Sequence, residues 1–183
     1  MDPTAVWCYS ALDMTDLSLT IMAETANDAQ IIERLHARTF GPGRYVLSAY
    51  LLREHVDHLL ELSFTARIGT LLVGSVRQLP ICVGDTPALL LGPLTVEPPF
   101  RSRGVGRALL DRAIADARKQ GHRLIVLVGD EPYYSRVGFK AIPKGTVTMP
   151  GPVDQRRLLV LELVDGAFTD VSGPIRPDWN MAR

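Results

Sequence analysis

Cysteine is scarce in this 183-residue chain: only Cys8 and Cys82 occur, with no pairing pattern, so a disulfide framework is excluded and a reduced, cytoplasmic setting is expected. An excess of either charge is also missing. Lys plus Arg and Asp plus Glu both number 20, so the basic surplus of a general nucleic-acid binder is absent and no nucleic-acid partner is expected. Long apolar runs are lacking too. The longest uncharged stretch, Thr86 to Val96, has 11 residues and contains Pro87 and Pro93, so no membrane span fits there and no membrane partner is expected. No Lys or Arg precedes Arg34, which removes the basic start of a signal or transit peptide. What is present, 46% hydrophobic and 22% charged residues, has the proportions of one soluble globular domain large enough to bury its own core.

Residues 1–16 read as a leader containing Trp7 and Tyr9, 17–165 as the domain, and 166–183 as a Gly/Pro-containing tail that packs on its own sheet or on a second subunit, a homodimer being one expectation. Leu17, Leu19 and Ile21 alternate with polar neighbours and predict a first strand. Thr25 or Asn27 offers an N-cap to a helix running to Phe40, which Gly41-Pro42-Gly43 must end. A second helix is predicted from about Tyr45 to Glu54. Leu59–Arg67 and Thr70–Arg77 read as a hairpin around Ile68-Gly69, with Cys82 beside Pro80 in a loop or strand edge. Ala88–Val96 and Leu124–Val128 are nearly all apolar, as central buried strands are. Between them a helix from Gly104 to Gln120, stopped by Gly121, makes a crossover joining two parallel strands. Tyr133–Val137 can hold a helical turn or two, and Arg157–Val164 alternates as a last strand. The order β-α-α-β-β-β-α-β-α-β predicts an α/β fold, a mixed sheet with helices on both faces.

The most informative stretch is Leu91 to Arg107, where a buried strand leads through a turn into a helix. Gly104 and Gly106 leave the free amides of the helix start open to a ligand, and amides and dipole together favour an anion. Residues 101–123 carry seven basic side chains against Asp111 and Asp116, so a phosphorylated ligand is the natural reading. It is neither a Walker loop, which needs Gly-Lys-Ser/Thr, nor a dinucleotide fingerprint, which needs glycine where Leu109 stands. Pro93 cannot donate to a ladder, so Gly92-Pro93 marks a bulge. That bulge either relieves twist or lets strands 88–96 and 124–128 splay around a ligand with amides of its own.

Arg101-x-x-Gly104-x-Gly106 after Leu94-Thr95-Val96, with Tyr133-Tyr134-Ser135-Arg136-Val137-Gly138-Phe139 further on, resembles the GCN5-related N-acetyltransferase (GNAT) superfamily. Gly129-Asp130 and Pro150-Gly151-Pro152 make the wording similar to YhbS-like bacterial acetyltransferases. The resemblance runs over residues 17–165. It implies a mostly antiparallel central sheet with one splayed parallel pair and acetyl-CoA as cosubstrate, with no metal. The acceptor would be a small-molecule or peptide amine, acetylated by direct transfer in a ternary complex. It places the pyrophosphate on the amides of Ser102, Arg103, Gly104, Val105, Gly106 and Arg107, with Arg101 opening that turn. The pantetheine falls along Leu94, Thr95 and Val96. Tyr134, four residues before Gly138, becomes the general acid for the departing thiolate, with Tyr133 in reserve. Some relatives carry a glutamate base where this chain has Leu90, leaving Glu97, Asp130 and Glu131 as candidate bases. A non-catalytic acyl-CoA sensor of the same fold is the alternative.

Other signals are weaker. His55 and His58 share a helix face at i, i+3 spacing without a third metal ligand, which favours a polar helix end over a metal site. His36 and His122 read as surface or capping histidines, and Cys82 lacks an activating neighbour. Arg38, Arg44, Tyr45 and Arg53 form either an acceptor wall or a solvated helix face.

Overall fold

The computed structural model describes residues 18–41, 48–53 and 56–179. Cys8, Trp7, Tyr9, Arg44, Tyr45 and His55 lie outside the described residues, as does the leader. The elements in chain order are β1 (Leu19–Ala23), α1 (Ala29–Phe40), α2 (Ser48–Arg53), β2 (Phe64–Ile68), β3 (Leu71–Val83), β4 (Thr86–Val96), α3 (Val105–Lys119), β5 (Leu124–Val128), α4 (Glu131–Tyr134), β6 (Lys140–Ala141), β7 (Val147–Thr148), β8 (Leu158–Glu162) and β9 (Gly173–Pro177). The sheet runs β1-β2-β3-β4-β5-β8-β6, with β9 on the far end of β3 and β7 beside β9. Its main path is antiparallel except for the parallel β4–β5 pair.

Strands that read as unbroken apolar runs still alternate between two cores. Leu89, Leu91, Ile125, Leu127, Leu159 and Leu161 pack with Leu109, Leu110 and Ala113 of α3. Leu90, Leu124, Val126, Leu158 and Val160 pack with Leu52 of α2 on the other face. Both faces are covered, so both must be apolar.

Several expectations are corrected. Residues 60–62 form a 3-10 turn, its Leu62 amide bonded to the Leu59 carbonyl at 3.1 Å, so the second strand starts only at Phe64. The hairpin closes at Gly69-Thr70, Ile68 facing Leu71. The third strand does not stop at Arg77 but runs through Pro80 and Cys82 to Val83. Proline is tolerated there because its ring nitrogen points outward from β4, on the side where the Pro80 carbonyl accepts the Asp178 amide at 3.1 Å. The tail takes one of its two expected placements, on its own sheet: Ile175, Arg176 and Pro177 pair with Val83, Cys82 and Ile81.

The predicted first helix begins as a 3-10 turn, Ala26–Asp28, whose Asp28 carboxylate accepts both the amide (2.9 Å) and the hydroxyl (2.8 Å) of Thr25. Beneath it lies a buried ionic network. Glu24 accepts from Arg77 Nη2 at 2.6 Å and faces His58 Nε2 at 3.0 Å, while Glu33 meets Arg77 at 3.3 Å. His58 is therefore a partner of Glu24. His36 is buried rather than superficial, with its Nε2 3.4 Å from Ser75 Oγ. Burial pushes the Glu24 carboxyl up, but the hydrogen bonds and charges of His58 and Arg77 outweigh it and hold the group below the usual carboxylate range. A lowered folded value stabilises above the unfolded value and loses that stability as pH falls through the folded one. Glu24→Gln should therefore cost about 3 kcal/mol at neutral pH. It should also flatten the loss of melting temperature below pH ~4.5, measured by thermal melts across that range.

Candidate active site

Pairing between β4 and β5 stops early. Leu89 faces Ile125 and Leu90 faces Val126, and there the ladder ends, although β5 runs on to Val128 beside β8. On its other side β4 stays paired with β3 through a bulge: Val76 faces Leu94 and Gln78 faces Leu91, so Gly92 and Pro93 share Arg77 as opposite number. The proline that cannot donate thus sits where the strand bends away from β5. The gap opens into a cavity of about 380 Å³ lined by Leu90 to Leu94 of β4, Val128 at the end of β5 with Gly129 and Asp130 after it, Tyr134, Tyr50 and Arg53 of α2, and Pro152 to Asp154.

The predicted turn leads away from the same strand end. Arg101 to Arg103 are exposed, Ser102 takes a left-handed backbone (φ 59°), and Gly104 caps α3 at φ 83° with open space where a Cβ would stand. The first backbone bond into α3 runs from the Ala108 amide to the Gly104 carbonyl at 2.9 Å, so the amides of Val105, Gly106 and Arg107 have no helical acceptor. Val105 is buried in the α3 core and can offer only its amide. Side-chain charge at the turn is lower than the residue count suggests. Arg101 folds back to the Val96 carbonyl (3.1 Å), and Arg107 is paired with Asp111 (2.7 Å) and bonded to the Arg136 carbonyl (3.1 Å). Arg112 pairs with Asp116 at 2.8 Å. An anion at this turn would meet backbone amides first.

The two tyrosines separate. Tyr134 lines the cavity, its ring edge-on to Phe139 with centroids 5.9 Å apart. Tyr133 points instead at the turn: a Cβ on Gly106 would lie 2.5 Å from its hydroxyl. Gly129 is equally tight, since a Cβ there would stand 2.2 Å from Tyr134 Cε2. Burial, then Tyr133 and Asp130, push the Tyr134 hydroxyl up to about 12 against the opposing charge of Arg157. Leu94 and Val96 are half-exposed and pack against the α3 core. Thr95 is buried, and its hydroxyl has no hydrogen-bond partner among the described residues.

Of the candidate bases, Glu97 is held by Arg38 of α1, Asp130 meets Arg157 at 3.2 Å on the cavity rim, and Glu131 is exposed in the first turn of α4. Leu90 is 1% exposed and lines the cavity, so no carboxylate occupies that place. Sequence reasoning missed the Tyr133 hydroxyl at Gly106 and left Arg53 between an acceptor wall and a solvated face, where the structure puts it in the cavity wall beside Gly92. Both depend on contacts between segments far apart in the chain.

Comparison with known proteins points one way. Residues 61–141 match the domain model described as acetyltransferase (GNAT) domain. The chain is 27% identical over 157 residues to the uncharacterized N-acetyltransferase YhbS of Escherichia coli K12, covering 85% of this chain and 93% of that one. The crystal structure of E. coli YhbS in complex with CoA superposes with a TM-score of 0.74 at 24% identity, over 90% of this chain and 92% of that one. A GNAT family acetyltransferase from Brucella melitensis in complex with acetyl-CoA gives 0.62 at 23% identity, over 90% and 98%. The splayed parallel pair and the glycine turn fall within the residues that match the acetyltransferase (GNAT) domain model, and the fold is the one shared by these acetyltransferases.

Proposed function

We propose that this protein moves an acetyl group from acetyl-CoA to a primary amine by direct attack within a ternary complex. The observation that carries the reading is the ladder ending at Leu90–Val126, which opens a cavity beside Tyr134 at the strand end that leads into the amide-rich turn. YhbS and the Brucella protein, both of this fold, were crystallised with CoA and acetyl-CoA respectively. The residues present fit such a ligand. Amides of Ser102 to Arg107 would hold a polyanion, the Tyr133 hydroxyl beside Gly106 would add a donor, and the unpaired edge of Leu91 to Val96 would accept an amide-bearing arm.

Acetyl-CoA would supply a thioester whose carbonyl carbon accepts the amine: the N–C bond forms, the C–S bond breaks, and the thiolate leaves with a proton. Backbone amides near Leu94 to Val96 would stabilise the oxyanion, worth about 3 kcal/mol in comparable sites. Tyr134 would hold the proton for sulfur. A phenol raised to about 12 is a weaker acid than a thiol, so it would pass its proton to the sulfur only in concert with taking one from the substituted ammonium, a net transfer from nitrogen to sulfur. The alternative of a non-catalytic acyl-CoA sensor draws on the apolar Leu90, but Tyr134 in the cavity wall favours turnover.

Calorimetric titration with acetyl-CoA, using ATP and NAD as controls, tests the ligand. Selective saturable binding is expected; no binding, or equal binding of ATP, overturns the reading. Gly104→Val should weaken acetyl-CoA binding about tenfold or more, because a left-handed cap strains a β-branched residue and its side chain would stand over the amides. Unchanged affinity would remove the turn from the site.

A further inference from the structure

The carboxylates on the cavity wall each have an arginine. Asp130 meets Arg157 at 3.2 Å and Asp154 meets Arg156 at 2.9 Å. Arg53, the last residue of α2, is the reverse case. It lines the cavity, its Nε is enclosed without a hydrogen-bond partner, and no carboxylate among the described residues is paired with it. Glu33, which acts on it electrostatically, is in contact with Arg77 at 3.3 Å. The guanidinium lies over the Tyr50 ring, 4.9 Å from the centroid, which fixes its plane. Its Nη2 reaches β4 where the strand bends, 3.6 Å from the position of a Cβ on Gly92.

Burial lowers this guanidinium to about 10, so it stays a cation at neutral pH. A half-buried cation whose Nε is enclosed, with no carboxylate paired to it among the described residues, costs free energy that a bound anion would recover. Its Nε–Nη2 edge presents two nearly parallel N–H groups, the fork that a planar carboxylate accepts in two hydrogen bonds. We propose that Arg53 binds a carboxylate of the acceptor, so that the acceptor is an amine that also carries a carboxylate, an amino acid or an amino-acid-like molecule. This rests on the acetyltransferase reading and goes further by naming the acceptor class.

The test pairs α-amino acids with their amides and adds phosphoethanolamine as an amine bearing a phosphate. Release of free thiol from acetyl-CoA is followed for wild type, Arg53→Gln and Arg53→Lys. Direct binding of the same probes is measured by calorimetry with and without saturating CoA. Wild type should favour acids over amides at least tenfold in kcat/KM. Arg53→Gln should erase most of that preference, chiefly through KM, and Arg53→Lys should restore part of it. Four results would overturn the proposal: acids used or bound no better than amides; a preference that survives Arg53→Gln; a stronger preference for phosphoethanolamine; or a fall in kcat shared by acids and amides with KM unmoved, which would place Arg53 on the reacting thioester. Failure of wild type to bind acetyl-CoA would overturn the acetyltransferase reading instead. The calorimetric comparison without CoA would still decide whether Arg53 holds a carboxylate.

Discussion

Replacing Tyr134 with phenylalanine should lower kcat about 100-fold or more while acetyl-CoA binding stays nearly intact, because a positioned proton donor contributes on that order and the ring itself is retained. Tyr134 is the tyrosine in the cavity wall, whereas the Tyr133 hydroxyl faces Gly106 at the turn. Tyr133→Phe should therefore weaken acetyl-CoA binding more than turnover, and the two variants separate chemistry from coenzyme binding. The pH dependence carries its own sign. Burial raises Tyr134 to about 12, above the ordinary value near 10, so its hydroxyl stays protonated through neutral pH and the kcat profile should show no loss from its ionisation there. Stability due to keeping it neutral is complete below pH ~10 and is lost as pH rises through the folded value. An ultraviolet titration of phenolate absorbance should accordingly lose its latest step in Tyr134→Phe. Turnover unchanged in that variant would remove Tyr134 from the reaction.

Much of this arrangement was legible from local pattern. Leu124–Val128 reads as a buried strand and is one, because five apolar residues in a row can only be accommodated with both faces covered. Gly92-Pro93 reads as a break, and the structure puts the bulge and the end of the β4–β5 ladder there. What escaped the pattern depends on partners distant in sequence. Pro80 argues against a continuing strand until one knows that its nitrogen points away from β4, toward the Asp178 segment. Residues 173–177 carry little periodicity and become a strand only because the end of β3 offers an edge. His36 looks superficial from its neighbours, yet α1 turns it onto Ser75 in the sheet. The arginine count at 101–123 overstated the cationic character of the turn, since helical spacing alone gives Arg107 and Arg112 their aspartates four residues on. Arg53 is the sharpest example: its residue type is plain in the sequence, but that no carboxylate among the described residues pairs with it emerges only once α2 is placed beside Gly92.

Gly129→Ala should reproduce most of the loss seen in Tyr134→Phe without touching a reacting group. Gly129 follows β5 directly, its amide bonded to the Arg157 carbonyl at 2.8 Å, so the backbone is pinned. A methyl added there would lie 2.2 Å from Tyr134 Cε2, 2.7 Å from Cδ2 and 3.0 Å from Leu127 Cδ1. Non-bonded carbons do not approach that closely, so the ring must move. Phe139 and Tyr133 flank it edge-on, with centroids 5.9 Å and 5.0 Å away, which leaves displacement into the cavity or out of it. A shift of about 1 Å at a reacting group can cost ~100-fold, and the overpacking itself about 1–3 kcal/mol of stability. The double variant separates these effects. If the methyl acts on turnover through the tyrosine hydroxyl, adding Gly129→Ala to Tyr134→Phe should lower kcat little further, while the losses of melting temperature largely add. Full multiplication of the two kcat losses would show that Gly129 serves the reaction by another route, such as the approach of the acceptor past Asp130.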